Sequence, residues 1–219
     1  MVSQANNTVR FTGCVADELK YSHRVYSENF YTFTLQVCRL SGNSDQIPVM
    51  ISERLLAGDY PPGSRVTVEG QLRSYNIMRD GRSHLVLKVF VRSMENAQEG
   101  LPDENSVCLR GYLCKPPVYR TTPFCREISD MLIAANRAYG KSDYIPCICW
   151  GRNARFCREL EVAQYICLAG RLQSRIYEKH TEDGDIIQRT AYEVSVSKLS
   201  LTPEEEEEPP HFCAEEAGR

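Results

Sequence analysis

The stretch Tyr144-Ile-Pro-Cys-Ile-Cys-Trp-Gly151 decides the fold and alternates along its length as a β-strand does. Successive side chains of a strand point to opposite faces, so one face takes Tyr144, Pro146, Ile148 and Trp150. The other face takes Ile145, Cys147, Cys149 and Gly151. Six residues at ~3.3 Å each separate the two large rings by roughly 20 Å. We therefore expect two aromatic side chains on one face of a single strand.

Basic residues flank this strand on both sides. They are Arg137 and Lys141 before it, and Arg152 and Arg155 after it. Spaced flat rings with cations between them suit a stacked, negatively charged polymer. The alternative interpretation is that Trp150 is a core residue of a half-buried strand.

The composition predicts a globular protein of one or two domains. The chain has 219 residues, of which 42% are hydrophobic, and this length is enough for real cores. No apolar run approaches the ~20 residues of a membrane span, and the first residues lack the basic start and apolar centre of a signal peptide. We therefore expect a cytoplasmic protein that does not interact with membranes.

The net charge of −3 conceals an uneven distribution of charge along the chain. Seven of the 29 acidic residues and one of the 26 basic residues lie beyond Pro203, so the rest carries 25 bases and 22 acids. That surplus is too small to indicate nucleic-acid binding, for which clustering matters more. The segment 203–219, with five consecutive glutamates, cannot bury a core, and we expect it to be a disordered acidic tail.

Ten cysteines raise the question of zinc or disulfides. The only close pair, Cys147 and Cys149, is spaced C-x-C within the apolar strand, and no C-x-x-C pair or Cys/His cluster occurs. We expect reduced, buried cysteines that act as small apolar residues, with no metal and no cofactor.

An internal repeat relates the two halves of the chain. Matching residues lie 98 positions apart, and after a slip of two residues the offset becomes 100. The pairs are Val9 with Val107, Gly13 with Gly111, Arg39 with Arg137, Gly42 with Gly140, Ile47-Pro48 with Ile145-Pro146, and Gly70-Gln-Leu-Arg-Ser74 with Gly170-Arg-Leu-Gln-Ser174. The order and spacing predict two copies of one domain.

Each half consists mostly of strands. Asp183-Gly184 and Asp80-Gly81 are hairpin signals at matching places, each followed by an alternating segment. One short helix fits each half, over residues 153–160 in the second and around residues 53–57 in the first. Five or so strands with one helix after the third are typical of a small Greek-key barrel, the OB-fold. The fold class is therefore all-β, with two tandem five-stranded barrels.

The second half, over about residues 105–199, resembles the bacterial single-stranded DNA-binding protein family. Its marks occur in order and are specific together: Asn105…Val107…Gly111, Ile133-Ala-Ala-Asn-Arg137, Tyr144-Ile-Pro-Cys-Ile-Cys-Trp-Gly151, Gly170-Arg-Leu-Gln-Ser-Arg175 and Arg189-Thr-Ala-Tyr-Glu-Val194. The resemblance implies an OB-fold that binds single-stranded DNA. Tandem-barrel members that dimerise to four barrels are known, and this chain is similar to them, so a homodimer is expected.

The resemblance also implies a set of binding residues. The family stacks bases on aromatic side chains at positions that fall here on Tyr139, Tyr144, Trp150 and Tyr177. Its basic partners fall on Arg152, Arg175 and Arg189, and more loosely on Arg120 and Lys141. The flanking Arg137 completes the predicted nucleic-acid-binding set.

Domain boundaries follow from the repeat, the linker composition and the resemblance. We expect a diverged OB-fold domain over residues 1–95, a linker over 96–105, a single-strand-binding OB-fold domain over 106–202 and the tail over 203–219. The family's acidic tail ends in Pro-Phe and recruits repair and replication enzymes, whereas this tail ends Ala214-Glu-Glu-Ala-Gly-Arg219. The difference leaves open whether replication or repair proteins are partners.

The first half has no aromatic residues at the positions that correspond to the predicted stacking residues. The repeat places Tyr139, Tyr144, Trp150 and Tyr177 on Ser41, Gln46, Ser52 and near Ile77. The first half has other aromatics, which either form a different surface or pack strands: Tyr21, Tyr26, Phe30, Tyr31 and Tyr75. We expect the second barrel to bind the single-stranded DNA, and the first barrel to contribute mainly to the architecture of the assembly.

Three functions follow from these features. The first is single-stranded DNA binding without strong sequence preference, serving replication, recombination or repair. The alternative is a primosome-type accessory or protein-interaction module with weak DNA or RNA binding; stacking and phosphate contacts do not separate the two polymers. An enzyme is the third, and no Ser/His/Asp, Cys/His or phosphate-loop pattern favours it.

Overall fold

The described residues of the computed structural model form twelve strands and one α-helix. The structure describes residues 6–79, 81–98, 100–180 and 186–201. The first half contains β1 (Asn7–Val15), β2 (Lys20–Val25), β3 (Glu28–Cys38), β4 (Ser44–Ser52), β5 (Arg65–Arg79) and β6 (Arg82–Asn96). The second contains β7 (Glu104–Leu113), β8 (Val118–Thr121), β9 (Glu127–Arg137), β10 (Lys141–Trp150), α1 (Gly151–Cys157), β11 (Tyr165–His180) and β12 (Ile186–Ser200).

Each half closes into a five-stranded barrel. In the first, β1 pairs with β3 and β5, β3 with β4, β4 with β6, and β6 with β5. In the second, β7, β9, β10, β12 and β11 close in the same order. The short strands β2 and β8 lie outside the barrels, on β3 and β9. The predicted fold class, two tandem OB-fold barrels, is confirmed.

Four glycines occupy equivalent positions in the two barrels. A Cβ atom on Gly13 would collide with the carbonyl oxygen of Gln36, and one on Gly111 with that of Ala134. Gly70 and Gly170 likewise approach the carbonyl oxygens of Phe90 and Ser195. A strand that passes so close to its neighbour's backbone has no room for a side chain, which explains why glycine recurs in both copies.

The barrel cores come from the inward faces of the strands. Side chains that are at most 1% exposed include Phe11, Leu35 and Ile47 in the first barrel, and Leu109, Ile133 and Ile145 in the second. Each such side chain contributes about 1.5–3 kcal/mol through removal of its apolar surface from water. The alternation of β10 places Ile145, Cys147 and Cys149 in this core.

The helical segments are shorter than predicted. α1 begins at Gly151, two residues before the expected start, and ends at Cys157, while the first half has only a 3-10 helix over Glu53–Leu55. Gly151 has φ +52°, a conformation that glycine adopts easily, and this turns the chain directly from the strand into the helix. Ser52 caps the 3-10 helix by accepting the Arg54 backbone N–H at 3.2 Å.

The two barrels are joined edge to edge into one twelve-stranded sheet. β1 and β7 pair antiparallel, and Val9 lies opposite Val107, its own counterpart in the repeat. The barrels are therefore related by a pseudo-two-fold axis near this pair. β6 ends at Asn96 and β7 begins at Glu104, so strand pairing includes the last two residues of the predicted linker.

Buried ion pairs reinforce the contact between the barrels. Asp143 of the second barrel is fully buried. Its Oδ2 forms an ion pair with Nη1 of Arg73 in the first barrel, at 2.7 Å. Its repeat counterpart, Asp45, is paired with Arg39 and with Arg171 of the other barrel. The hydrogen bond to Asp45 raises the pKa of Arg39, whereas burial lowers the pKa of Arg171. Each barrel thus supplies a carboxylate to an arginine of the other.

The cysteines agree with the prediction only in part. Nine of them are described, none of these in a disulfide bond, and four are buried: Cys147, Cys149, Cys157 and Cys167. Burial raises the pKa of Cys147 and disfavours its reactive thiolate. The prediction of burial is wrong for Cys38, Cys108 and Cys125, which are exposed.

Candidate nucleic-acid interface

Both large aromatics of β10 reach the surface. Tyr144 is 46% exposed and Trp150 is 39% exposed, while Ile145, Cys147 and Cys149 between them are buried. The interpretation of Trp150 as a core residue is therefore wrong. Ile148 shares the outward side in sequence but is buried, because β12 pairs beside it through Ser195.

Trp150 is held in place by three elements. It is the last residue of β10, lies opposite Ile128 of β9, and immediately precedes α1. Its indole N–H donates a hydrogen bond of 3.2 Å to the Ser195 hydroxyl of β12. The polar edge of the indole is therefore satisfied within the protein, and part of the side chain is open to solvent.

Tyr139 and Lys141 lie at the hairpin between β9 and β10. Tyr139 is 98% exposed, and its φ of +63° is followed by a positive φ at Gly140. Lys141 is exposed at the start of β10, opposite Arg137. The hairpin therefore presents an exposed ring two residues before Lys141, the first residue of the strand that carries Tyr144 and Trp150.

The remaining predicted aromatic lies on a neighbouring hairpin. Tyr177 of β11 and Arg189 of β12 are direct backbone partners. Their side chains, like the Asp183-Gly184 turn, lie outside the described residues. The backbone alone brings these two predicted residues together.

Two predicted cations are already engaged by carboxylates. Arg120 donates to Asp130 through Nε at 3.0 Å and Nη2 at 2.8 Å. Arg137 lies with its Nε 3.8 Å from the buried carboxylate of Asp143. A phosphate contact by either side chain has to compete with its carboxylate.

The other described cations are more open. Arg152 is exposed in the first turn of α1 and makes no ion pair with any described carboxylate. Arg175 is exposed on β11, with its Nε 4.0 Å from Glu193. Together with Lys141 they add exposed positive charge to the barrel that carries the two β10 rings, and single-strand binding sites combine cations with stacking rings.

Several exposed aromatic residues of the second barrel are not among the predicted site residues, and Phe124 is the most exposed of those described. Phe124 is 86% exposed on the turn between β8 and β9. The preceding Thr-Thr-Pro123 is a turn signal that places the ring at a hairpin tip. The equivalent site positions of the first barrel, Ser41, Gln46 and Ser52, carry no ring.

Comparison with known sequences identifies the second barrel. The sequence model described as the single-strand binding protein family matches residues 104–202. This match lies entirely within the second half of the chain. A relative named single-stranded DNA-binding protein 2, from Chlorobaculum tepidum, is 29% identical to the chain over 111 residues, which cover 46% of this chain and 72% of the relative. The predicted resemblance of the single-strand binding domain is confirmed.

Solved structures extend the likeness to both barrels. A deletion mutant of the single-stranded DNA binding protein from Thermus aquaticus superposes with a TM-score of 0.70 and 20% identity, over 94% of this chain and 97% of that one. The wild-type Thermus aquaticus protein gives a TM-score of 0.69 and 20% identity, over 93% and 96%. The shared feature is the fold, which extends over both barrels.

Other site types have no support in the described part of the chain. Across residues 6–79, 81–98, 100–180 and 186–201, no three His, Cys, Asp or Glu side chains are placed to hold a metal ion. Within those same ranges, no helix has the length and apolar character needed to cross a membrane.

Proposed function

We propose that the chain binds single-stranded DNA without strong sequence preference and serves DNA replication, recombination or repair. One observation carries the proposal: Tyr144 and Trp150 are both exposed on one strand of a single-strand binding family barrel. Stacking on such rings is tolerant of sequence, because every base has a flat face. The protein acts by binding and not by catalysis.

The proposed contact runs along β10 and the adjoining hairpins. Bases stack on Tyr139, Tyr144, Trp150 and Tyr177, and phosphates contact Lys141, Arg152, Arg175 and Arg189. Arg120 and Arg137 belong to the same proposed set, although both compete with a neighbouring carboxylate. Charge contacts supply much of the affinity and make it depend on salt.

The proposed assembly is a homodimer with four barrels. One chain offers two short grooves, and a two-fold interface is the commonest way for a protein to close an assembly. Replication and repair proteins are proposed partners of the assembled protein. A cytoplasmic location belongs to the same proposal, because single strands of bacterial chromosomes arise there.

A second candidate function rests on the first barrel. Because Ser41, Gln46 and Ser52 replace the stacking positions, that barrel also suits a primosome-type accessory whose contacts are mainly with protein. The two functions differ in the strength of single-strand binding by the intact chain.

The test is a fluorescence titration of the full chain, in which Trp150 is the only tryptophan. Oligo-dT, oligo-rU and duplex DNA are added separately at several salt concentrations. We expect quenching by oligo-dT to saturate, to weaken with salt, and to exceed that by duplex DNA. Binding of oligo-dT no tighter than that of duplex favours the accessory function, and comparable affinity for oligo-rU shows that RNA is an equal ligand.

A further inference from the structure

We propose that the first barrel carries a second base-stacking surface, built from different positions than the surface of the second barrel. It consists of His23 on β2, Phe30 on β3, and Phe90 and Arg92 on β6, and we call it the β2–β6 surface. The inference rests on the proposed function and deepens it, since it assigns the same ligand class, single-stranded nucleic acid, to the first barrel.

The four side chains form a continuous row of flat groups. The rings of His23 and Phe30 are parallel within 9°, with centroids 5.0 Å apart. Phe30 and Phe90 are 5.9 Å apart and tilted by 36°, and the Arg92 guanidinium lies 5.6 Å from the centre of the Phe90 ring. The row crosses from the edge strand β2 to β6, and it ends in two exposed groups, His23 and Arg92.

The repeat explains how the row arises. In the second barrel Trp150 lies opposite Ile128, and Ser195 pairs beside Ile148, two residues before Trp150. In the first barrel Ser52 lies opposite Phe30, and Phe90 pairs beside Met50, two residues before Ser52. In the second barrel the large ring, Trp150, lies on β10 and the serine, Ser195, lies on β12. In the first barrel the serine, Ser52, lies on the equivalent β4 and the large ring, Phe90, on the equivalent β6. The ring and the serine have therefore exchanged strands.

The exchange follows from the space available on the barrel wall. The hydroxyl of Ser195 receives the indole N–H of Trp150 at 3.2 Å, so a large residue at one position needs a small one at the other. With Ser52 on the middle strand, the rings of Phe30 and Phe90 approach each other across it. The aromatic surface lost at the inherited position is thus restored one strand away.

A local irregularity sets the position of the cation. Gly70 pairs with Val91 and Glu69 with Ser93, so Arg92 is the extra residue of a β-bulge. Bulges often redirect a side chain, and here the bulged residue lies over the Phe90 ring and donates to the Gln71 side chain at 3.2 Å. Arg92 makes no ion pair with any described carboxylate, so its charge is available to a phosphate.

The two carboxylates near Phe30 each have partners within the first barrel. Glu28 accepts a hydrogen bond from the Ser52 hydroxyl and lies 3.5 Å from Arg54. Glu53 accepts the backbone N–H of Asn29 at 2.9 Å and its side-chain amide at 2.8 Å. Both acids near Phe30 are therefore held by bonds to their own partners, and Arg92 adds a cation at one end of the row.

A fluorescent reporter in the first barrel tests the proposal directly. Phe90→Trp on a Trp150→Phe background gives a protein whose sole indole lies in the β2–β6 surface, and Tyr165→Trp on the same background is the matched control. We expect saturating long oligo-dT to quench the Phe90→Trp protein and to leave the control unchanged. Unchanged emission of the Phe90→Trp protein, while the parent chain shows normal quenching of Trp150, overturns the inference.

The parent titration separates this failure from failure of the proposed function. If Trp150 of the parent is not quenched and no single-strand binding is measured, the proposed function fails and the inference fails with it. If Trp150 responds and the Phe90→Trp protein does not, only the inference fails.

A second pair of substitutions measures the contribution to affinity. Phe30→Leu with Phe90→Leu keeps apolar side chains but removes both flat rings. We expect about 5- to 150-fold weaker binding of an oligo-dT long enough to reach both barrels, the range for one stacked base. Quenching of Trp150 by a short oligo-dT should stay as in the parent. Unchanged affinity for the long oligo-dT, with a changed mass in light scattering, shows instead that this surface joins copies of the chain.

Discussion

Asp143 in the second barrel accepts a hydrogen bond of 2.8 Å from the backbone N–H of Ser74 in the first. The Ser74 hydroxyl in turn accepts the backbone N–H of Tyr144 at 2.6 Å. The contact between the barrels therefore also positions the backbone of a candidate stacking residue. The pseudo-two-fold counterpart links Asp45 to the Ser174 N–H at 3.1 Å, with Gln46 in the place of Tyr144.

Asp143→Asn is expected to destabilise the chain by about 3–5 kcal/mol, because it leaves Arg73 and Arg137 beside a buried neutral group. The matched control is Asp130→Asn, whose partner Arg120 is exposed and whose cost is about 0–1 kcal/mol. Urea unfolding followed by circular dichroism measures both. Equal midpoints for the two variants contradict a stabilising role for the buried pair.

Trp150→Ala is expected to weaken oligo-dT binding by ~1–3 kcal/mol, the usual range for one stacked base, and Tyr144→Ala by a similar amount. Both side chains are partly exposed, so the folded state should survive the change. Ser52→Ala, at the matching position of the first barrel, should leave affinity unchanged. If the Trp150→Ala protein is stable and binds oligo-dT as tightly as the parent, Trp150 is not part of the binding site.

Arg152→Ala should flatten the dependence of affinity on salt. Each phosphate contact on a single strand contributes about −0.7 to the slope of log K against log salt concentration. Arg120→Ala should change the slope less, because Arg120 has to leave Asp130 to reach a phosphate. Titrations at several salt concentrations give both slopes. A larger change of slope for Arg120→Ala than for Arg152→Ala shows that Arg120 makes the stronger phosphate contact.

Deletion of residues 203–219 should tighten single-strand binding at low salt and have no effect at high salt. The reason is electrostatic: we expect the seven acidic residues of this segment to compete with phosphate for the exposed cations of the second barrel. Replacing Glu204 to Glu208 with glutamine is the matched control for chain length and should reproduce most of the gain. Low-salt affinity that does not change on deletion argues against any contact between the segment and the groove.

Light scattering of the intact protein should give about 50 kDa, twice the chain mass of 25.0 kDa, as expected for a two-fold dimer with four barrels. Measurements over a range of micromolar concentrations show whether the mass depends on dilution. A constant value near 25.0 kDa excludes the dimer.

Local patterns in the sequence were enough for the fold. The period of two along β10 placed Ile145 inside and Tyr144 outside, and the offset of 98 residues identified the second copy. Both signals depend on residues close in the chain or on direct comparison of two segments. The helix bounds were less accurate, because the start of α1 depends on the positive φ of Gly151, which the pattern of apolar residues does not show.

The site was predicted as a set of residues, but its electrostatics were decided by tertiary contacts. Arg137 and Arg152 look alike in sequence, yet Arg137 lies against the buried Asp143 while Arg152 is exposed. Asp143 itself lies where β10 packs against the other barrel, and Arg73 and Ser74 complete the contact there. No local pattern reports a partner that is about seventy residues away in the chain.

The sequence by itself determined that the chain holds two OB barrels and that only the second keeps aromatic residues at the inherited positions. Only the tertiary structure decided that Phe30 and Phe90 meet across Ser52 and that Arg92 lies over the second ring. The residues of this row come from three strands, and barrel closure brings them together. Alternation predicts which face of a strand a residue takes, whereas the pairing of distant strands decides which residues become neighbours on that face.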